Sequence, residues 1–204
     1  MENKKLKRGQ EIELTISDLA FGGRGISKQD ELVFFVKDAI PNQKVIAKIS
    51  KIKKNYVEAY SIETLKESKD QIETVCEHFR WCGGCTTQQL EYQKQLHYKQ
   101  KQISDILNKI AGEKDLEINP IIGCDQPFFY RNKMEYTFSG TPWYIADESY
   151  DDVVLGLHVP KRFDKILNIN KCHINHDVFN DILNISRKIA VKENMVPYHV
   201  RKHT

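Results

Sequence analysis

Residues 76–85 read CEHFRWCGGC, and a further cysteine, Cys172, follows much later in the segment NKCHI. Cys76, Cys82 and Cys85 therefore have the spacing Cys-x5-Cys-x2-Cys, with two glycines inside the closer pair. Three thiolates in one short segment, joined by a distant fourth, can build a tetrahedral sulfur shell around a soft metal centre. The glycines favour this arrangement, because they let backbone N–H groups approach the sulfurs without a steric penalty.

The spacing alone leaves the identity of such a centre open. Ligand pairs in zinc ribbons usually stand two to four residues apart, which the wider Cys76–Cys82 interval does not match. The asymmetry is typical of chains that wrap an iron–sulfur cluster, although it matches neither common ferredoxin run. An iron–sulfur cluster, a structural zinc ion, and disulfides or unrelated thiols all stay possible from the cysteine pattern.

The composition predicts a water-soluble globular protein. The chain has 204 residues, 40% of them hydrophobic and 29% charged, which is enough for one large or two small domains. No apolar run approaches the roughly 20 residues of a membrane helix, and the N-terminus lacks an apolar secretory signal. Five cysteines without such a signal indicate a reducing compartment. We therefore expect a cytoplasmic protein with no membrane partner.

Upstream of the cysteines, residues 10–62 show the pattern of short strands. Ile12, Leu14 and Ile16 alternate with polar residues, which is the period-two pattern of a half-buried strand. Similar runs follow at 32–36, 44–49 and 56–60, separated by turns such as the glycine-rich 21–25. Four or five short strands without a helical pattern predict a small antiparallel β-barrel. Barrels of this kind often bind single-stranded nucleic acid beside basic loops.

The segments downstream predict a mixture of helices and strands. Residues 63–75 are polar and charged, as in a linker, and residues 88–111 keep helical spacing with Gly112 as a C-terminal stop. Strand patterns resume at Ile118. Residues 178, 182, 185 and 189 then form an apolar i, i+4, i+7, i+11 stripe, which predicts an amphipathic helix.

Basic residues are clustered although the net charge is only +3. If residues 130–139 are extended, Arg131 and Lys133 share one face of the strand. Such clusters either form an electrostatic footprint for nucleic acid or belong to an ordinary solvated surface. The two clearest clusters are Lys48, Lys51, Lys53 and Lys54, and Arg131, Lys133, Lys161, Arg162 and Lys165.

The motifs together resemble a known family over roughly residues 9–204. AFGGRGIS and FVKDAIPNQKV look like parts of a TRAM domain, an RNA-binding module. CEHFRWCGGC, FYRNKMEYTFS, the LGLH strand and the late Cys172, in that order, resemble the N-terminal half of SAM-dependent RNA uracil-C5 methyltransferases. The resemblance is to the iron–sulfur branch of this family, which makes 5-methyluridine in ribosomal RNA.

The resemblance implies an α+β fold with a TRAM/OB-like barrel at residues 1–65, a linker at 66–75 and a central iron–sulfur domain at 76–204. Cys76, Cys82, Cys85 and Cys172 match the ligands of a 4Fe–4S cluster, with zinc as the alternative. Cys124 matches no ligand position. The resemblance also implies RNA contacts by Arg131 and Lys133, with His158 as a further candidate, and phosphate contacts by Lys48, Lys51, Lys53 and Lys54.

The sequence departs from the family where catalysis is concerned. No glycine-rich SAM loop occurs in the 204 residues, so SAM would bind only to a Rossmann-like domain that this chain lacks. Methylation at C5 needs a thiolate that adds to uracil C6 and a base that removes the C5 proton. Neither is visible. We therefore expect a monomeric, ribosomal RNA-binding part of a methyltransferase that is inactive alone. The alternatives are a stand-alone RNA-binding protein with structural zinc and, third, a ferredoxin-like electron carrier.

Overall fold

A computed structural model of the chain describes residues 6–112, 116–145 and 153–198. The chain divides into two compact units, and both are assembled from separate segments. We call Met1–Glu73 with Thr86–Gly123 the barrel unit, and Thr74–Cys85 with Cys124–Thr204 the cysteine unit. Two sheets and a few helices make up the described residues, in agreement with the predicted α+β class.

A six-stranded sheet forms the core of the barrel unit, in the order β1-β5-β6-β4-β3-β2. The edge strands β1 and β2 are separated by only two residues of chain, so one continuous segment joins both edges and the sheet closes into a barrel. The strands are β1 (Glu11–Thr15), β2 (Asp18–Leu19), β3 (Gly25–Gln29), β4 (Leu32–Lys37), β5 (Lys44–Ile52) and β6 (Tyr56–Lys66).

The barrel is not wholly antiparallel, and this corrects the sequence prediction. Strands β4 and β6 pair in parallel, with Phe34 opposite Val57. Parallel neighbours need a crossover connection, and here β5 supplies it by pairing with β1 before the chain returns beside β4. Residue alternation could not reveal this, because its period is the same in parallel and antiparallel strands.

The predicted alternation fills the barrel core. In β5, Val45, Ala47 and Ile49 are buried while the residues between them are only partly covered. The same pattern places Leu14 and Phe34 in the core, and the full cluster is Leu14, Ile16, Phe34, Val36, Ala39, Val45, Ala47, Ile49, Val57 and Ala59. Sequence periodicity therefore identified which face of each strand is buried.

The predicted helix exists as α1 (Tyr92–Ile106), which continues through a π-helical turn, Leu107–Ala111, and ends at Gly112 in the left-handed conformation. It packs on the barrel. The Nζ of Lys101 lies 2.6 Å from the carboxylate of Asp18, and Gln102 donates to the carbonyl of Leu19 at 2.9 Å. Helix α1 therefore belongs to the barrel unit, although the sequence analysis assigned residues 76–204 to the other domain.

The segment 66–75, predicted to be a linker, is also held by the barrel. Ser68 and Asp70 are buried, Asp70 accepts a hydrogen bond from Asn42 at 3.2 Å, and Gln43 donates to Gln71 at 2.6 Å. Its polar composition therefore satisfies hydrogen bonds inside the unit. A polar segment of this kind looks like a linker in sequence, because composition does not show which polar groups are paired.

A four-stranded sheet in the order β7-β9-β10-β8 carries the cysteine unit. Helix α2 (Asp177–Lys192) follows it, and Leu167, Ile169, Cys172, Ile174 and Leu183 form the buried cluster. The strands are β7 (Thr137–Ser139), β8 (Pro142–Trp143), β9 (Val154–Val159) and β10 (Arg162–Asn168).

Helix α2 confirms the predicted helix, but its long apolar stripe lies on the surface. Val178, Ile182, Ile185 and Ile189 are each about half exposed, whereas Leu183 is buried. The helix thus turns a different set of side chains to the core than the stripe suggests. Among the residues that the structure describes, no helix is long and apolar enough to cross a membrane.

Candidate metal centre and nucleic-acid surface

The loop that carries the first three cysteines folds into successive tight turns. The N–H of Phe79 donates to the carbonyl of Cys76 at 3.1 Å, and the N–H of Cys82 donates to the carbonyl of His78 at 2.9 Å. Arg80 takes a positive φ of 75° between them. These turns fold the segment between Cys76 and Cys82 back on itself, and the thiol of Cys76 acts on the pKa of Cys82.

Gly83 and Gly84 allow the backbone to approach its neighbours closely. Gly83 donates to the carbonyl of His158 at 3.3 Å, and a Cβ atom at residue 83 would lie 3.2 Å from that oxygen. The N–H of Gly84 donates to the Sγ of Cys82 at 3.3 Å. Gly84 therefore performs the function that the sequence suggested, because its N–H reaches a cysteine sulfur, whereas the N–H of Gly83 binds strand β9.

Cys172 is held from the opposite side by a buried asparagine. Its N–H donates to the Oδ1 of Asn180 at 2.8 Å, and the Nδ2 of Asn180 donates back to the carbonyl of Cys172 at 3.3 Å. Asn180 is only 5% exposed. This pair fixes the backbone of Cys172 to the first turns of α2. The sequence analysis missed Asn180, because nothing in a lone helical asparagine indicates a partner eight residues upstream.

The four thiols are close enough to influence one another. Burial, followed by the nearby thiols of Cys82, Cys172 and Cys76, raises the pKa of Cys85 to about 11. Burial also raises the pKa of Cys82, with the Gly84 N–H opposing and Cys172 and Cys76 adding to the rise. Burial likewise raises the pKa of Cys76, while the N–H groups of His78 and Phe79 oppose this rise.

Metal binding is nevertheless not shown by this geometry. Within residues 6–112, 116–145 and 153–198, no three His, Cys, Asp or Glu side chains are already arranged around a point that could hold one metal ion. The thiols can raise one another's pKa without surrounding one metal ion, since electrostatic effects extend further than a ligand shell. The donor set still fits a thiophilic centre in its chemistry, because the thiols are near enough to act on one another and backbone N–H groups bind two of the sulfurs.

The charge of Arg131 acts on the thiol cluster, which the sequence analysis did not predict. Its positive charge lowers the pKa of Cys82 and Cys85, in opposition to their burial. Its backbone N–H donates to the carbonyl of Ile174 at 2.8 Å, which fixes it beside the segment that follows Cys172. The side chain is exposed, so it borders both the thiol cluster and the surface.

Two other predicted RNA-contact residues in the cysteine unit are exposed. Lys133 lies 3.0 Å from the carboxylate of Glu135. The ring of His158 shares a 3.2 Å hydrogen bond with Thr137, and its carbonyl accepts from Gly83. His158 therefore has a structural contact beside the cysteine loop as well as an exposed ring.

The lysines of the barrel unit fall into two groups. Lys48 and Lys51 lie on β5 and pair with Glu11 at 3.4 Å and Glu58 at 3.8 Å. Lys53 and Lys54, at the turn between β5 and β6, are exposed and have no ion-pair partner in the described part of the chain. Surface ion pairs are weak, so all four ammonium groups are accessible to a polyanion, the last two most freely.

Known proteins resemble this chain both in one domain and over most of its length. Residues 5–60 match the TRAM domain. The chain is similar to RNA methyltransferases. It is 33% identical over 208 residues to an uncharacterized RNA methyltransferase of Chlorobaculum tepidum, covering 98% of this chain and 43% of that protein. It is 38% identical over 182 residues to an uncharacterized RNA methyltransferase of Bacteroides thetaiotaomicron, covering 86% of this chain and 40% of that protein.

A solved structure shares the fold. The tRNA (uracil-54, C5)-methyltransferase of Pyrococcus abyssi, in complex with S-adenosyl-L-homocysteine, superposes with a TM-score of 0.63. The match covers 94% of this chain and 40% of that chain, at 19% sequence identity, so it supports the fold alone. The chain thus spans about two fifths of the length of the curated relatives that it matches.

Proposed function

We propose that this chain is the RNA-binding, substrate-recognition part of a SAM-dependent RNA uracil-C5 methyltransferase that acts on large-subunit ribosomal RNA. The observation that carries this proposal is the similarity to RNA methyltransferases across 86–98% of the chain, together with the TRAM match at residues 5–60. In this proposal the barrel unit and the cysteine unit both contact RNA.

Within that function, Cys76, Cys82, Cys85 and Cys172 would hold a 4Fe–4S cluster. Four cysteines would fill its ligand positions, so the cluster would join distant chain segments rather than bind substrate. Each cysteine of such a cluster binds a different iron, whereas zinc draws four sulfurs to about 2.3 Å from one ion. The nearby thiols of Cys82, Cys172 and Cys76 act on Cys85, and metal analysis distinguishes a cluster from zinc.

Metal analysis of anaerobically purified protein tests the cluster. We expect iron and acid-labile sulfide together with a brown colour, and loss of both in Cys82→Ser. Cys124→Ser is the matched control, because Cys124 is exposed and donates to the carbonyl of Gln126 at 3.1 Å, outside the loop. Colourless protein with stoichiometric zinc would support the alternative, a stand-alone RNA-binding protein with structural zinc.

RNA binding would depend on Arg131 and Lys133 in the cysteine unit and on the four lysines of β5 and its turn, with His158 as a further contact. Phosphate contacts give affinity that falls steeply with salt, by about 0.7 to 0.9 log units per contact for each tenfold rise in salt. The test is fluorescence anisotropy with a large-subunit ribosomal RNA fragment and a transfer RNA transcript at several salt concentrations. Tighter binding of transfer RNA would contradict the ribosomal assignment, and no binding of either RNA would contradict the function.

The chain alone would not methylate RNA. The reaction needs a thiolate nucleophile, a base and bound SAM, and four of the five cysteines are assigned to the cluster. Purified chain incubated with SAM and the ribosomal RNA fragment should give no 5-methyluridine by mass spectrometry of nucleosides. Steady accumulation of product would show that the catalytic residues lie within these 204 residues.

A further inference from the structure

We propose that a groove in the barrel unit, between the glycine-rich loop at residues 20–25 and helix α1, binds an unpaired nucleobase of single-stranded RNA. This inference rests on the proposed RNA-binding function and adds a specific subsite to it. The groove has a volume of ≈ 610 Å³, and Phe21, Gly23, Thr87, Lys99, Gln100 and Ile121 contribute to its lining. None of these residues was identified as a binding residue in the sequence analysis.

The glycine-rich loop presents an aromatic side chain at the rim of the groove. Gly22 and Gly23 have φ values of 86° and 82°, a conformation that strongly favours glycine. A Cβ atom at Gly23 would lie 2.7 Å from the Oγ1 of Thr86, so this end of the loop rests directly on the chain before α1. Phe21 stays 80% exposed. A largely exposed phenylalanine on a loop that is held this closely is available for contact with a ligand.

The groove combines an apolar wall with polar groups that suit a nucleobase. Ile103 and Ile121 form part of its wall, and every base has a π-face that stacks on an aromatic ring. Gln100 donates its Nε2 to the carbonyl of Asn119 at 3.1 Å, which fixes the amide and leaves its Oε1 as an acceptor within the described part of the chain. Base edges carry the donors that such an acceptor binds.

The charge of the groove favours a polyanion. Among the residues that the structure describes, none that lines the groove is acidic. Lys99 is exposed and has no ion-pair partner in the part of the chain that the structure describes. Two residues later, Lys101 pairs with Asp18 at 2.6 Å and with Asp105 at 2.7 Å. Lys101 is therefore occupied by carboxylates, whereas Lys99 is accessible to a ligand. An RNA strand can place a base on Phe21 and a phosphate on Lys99, which an uncharged apolar ligand cannot do.

Binding of fluorescein-labelled oligouridine to the full chain tests this subsite. Phe21→Ala should weaken binding about tenfold or more, and Phe21→Trp should restore it, because stacking needs only a ring. Phe163→Ala is the matched control, since Phe163 is 65% exposed in the cysteine unit. Lys99→Gln should reduce the salt dependence by about one phosphate contact, whereas Lys188→Gln should leave it unchanged.

A second measurement identifies the contact directly. Oligouridine that contains 5-iodouridine should crosslink on irradiation to a peptide that includes Phe21. If ribosomal RNA binds the wild type and Phe21→Ala equally well, the subsite is refuted while the proposed function stands. If neither oligouridine nor ribosomal RNA binds the wild type, both are refuted. Competition by polyglutamate with the same dependence on Phe21 would assign the groove to an acidic peptide and refute the nucleobase.

Discussion

At the scale of single residues, Cys172, which lies far from the other three cysteines in sequence, is held by a buried side chain. Asn180 makes two hydrogen bonds to the backbone of Cys172, and both residues are buried. A buried N–H without a partner costs its full desolvation free energy. The sulfur of Cys172 is thus positioned by a side chain that has no metal-binding chemistry of its own.

Asn180→Ala should lower the free energy of unfolding of the cysteine unit by about 1–3 kcal/mol, because it leaves the N–H and carbonyl of Cys172 unpaired. Urea unfolding followed by tryptophan fluorescence reports this unit, since Trp81 and Trp143 both lie in it. Ser186→Ala is the control on the same helix. Ser186 is exposed, so its loss should change stability by less than about 0.5 kcal/mol. Equal effects of the two substitutions would contradict the role of Asn180.

At the scale of secondary-structure elements, the pairing of β9 with β10 depends on one glycine. Gly156 lies opposite Asn168, and a Cβ atom there would collide with the carbonyl of Leu167 and lie 2.9 Å from the N of Ile169. In the sequence analysis Gly156 stands only as part of the LGLH strand. The sequence does not show that a Cβ atom at residue 156 has no room, because the atoms it would meet belong to β10 and the residue after it.

Gly156→Ala should destabilise the cysteine unit by about 1–3 kcal/mol or more, because backbone atoms rather than a flexible side chain occupy the space. The same tryptophan-detected urea unfolding measures it. Phe163→Ala on the neighbouring strand β10 should have little effect, since that ring is largely exposed. An unchanged midpoint for Gly156→Ala would mean that the two strands are not this close.

The ion pairs of Lys101 on α1 should make the stability of the barrel unit depend on pH. Hydrogen bonds from Lys101 and then Lys109 lower the pKa of Asp105 from its ordinary 3.8, and Asp105 and then Asp18 raise the pKa of Lys101 above 10.5. The stabilisation by Asp105 is present above pH 3.8 and is lost as the pH falls through its lowered pKa. The stabilisation by Lys101 is present below pH 10.5 and is lost as the pH rises through its raised pKa.

Lys101→Met should therefore destabilise the barrel unit near neutral pH and lose most of its effect at pH values well below 3.8. The effect should stay below about 1 kcal/mol, because these side chains are 39–40% exposed and solvent screens the pair. Urea unfolding followed by the NMR signal of Ala47 measures it. Lys28→Met, at an exposed lysine of β3, is the control that should show no such pH dependence. A pH-independent loss in Lys101→Met would indicate altered packing instead.

At the scale of the whole molecule, the segments of the two units alternate along the chain. Residues 1–73 and 86–123 form the barrel unit, and residues 74–85 and 124–204 form the cysteine unit. Leu90 follows the cysteine loop, yet it is fully buried with Leu19 and Ile40 of the barrel unit. Ile72 also donates its N–H to the carbonyl of Gln89 at 2.9 Å. The barrel unit is therefore not complete at residue 65, although the repeating strand pattern ends there.

Leu90→Ala should destabilise the barrel unit by about 2–5 kcal/mol through the cavity that it creates. Amide hydrogen exchange of β5 should accelerate accordingly, although the substitution lies far along the chain. Leu116→Ala is the control, because Leu116 belongs to the same unit and is 53% exposed. Unchanged exchange in β5 on Leu90→Ala would show that the barrel folds independently of residues 86–123.

Local patterns in the sequence were sufficient for most elements of the fold. The alternation in β5 predicted the buried set Val45, Ala47 and Ile49, since a strand has only two faces. The stop at Gly112 predicted the end of the helix, because a left-handed residue there favours glycine. The stripe on α2 predicted a helix but not its orientation. Apolar spacing shows which residues share a face, whereas the packing partner decides whether that face is covered.

The sequence by itself determined the cysteine pattern, the strand alternation, the helix positions and the resemblance to RNA methyltransferases, because these depend on residue type and short-range spacing. Only the tertiary structure decided that β4 and β6 are parallel, that α1 packs on the barrel, and that the charge of Arg131 acts on the thiols. It also decided that Asn180 holds Cys172. Each of these depends on contacts between residues distant in the chain, which are set by the packing of whole elements.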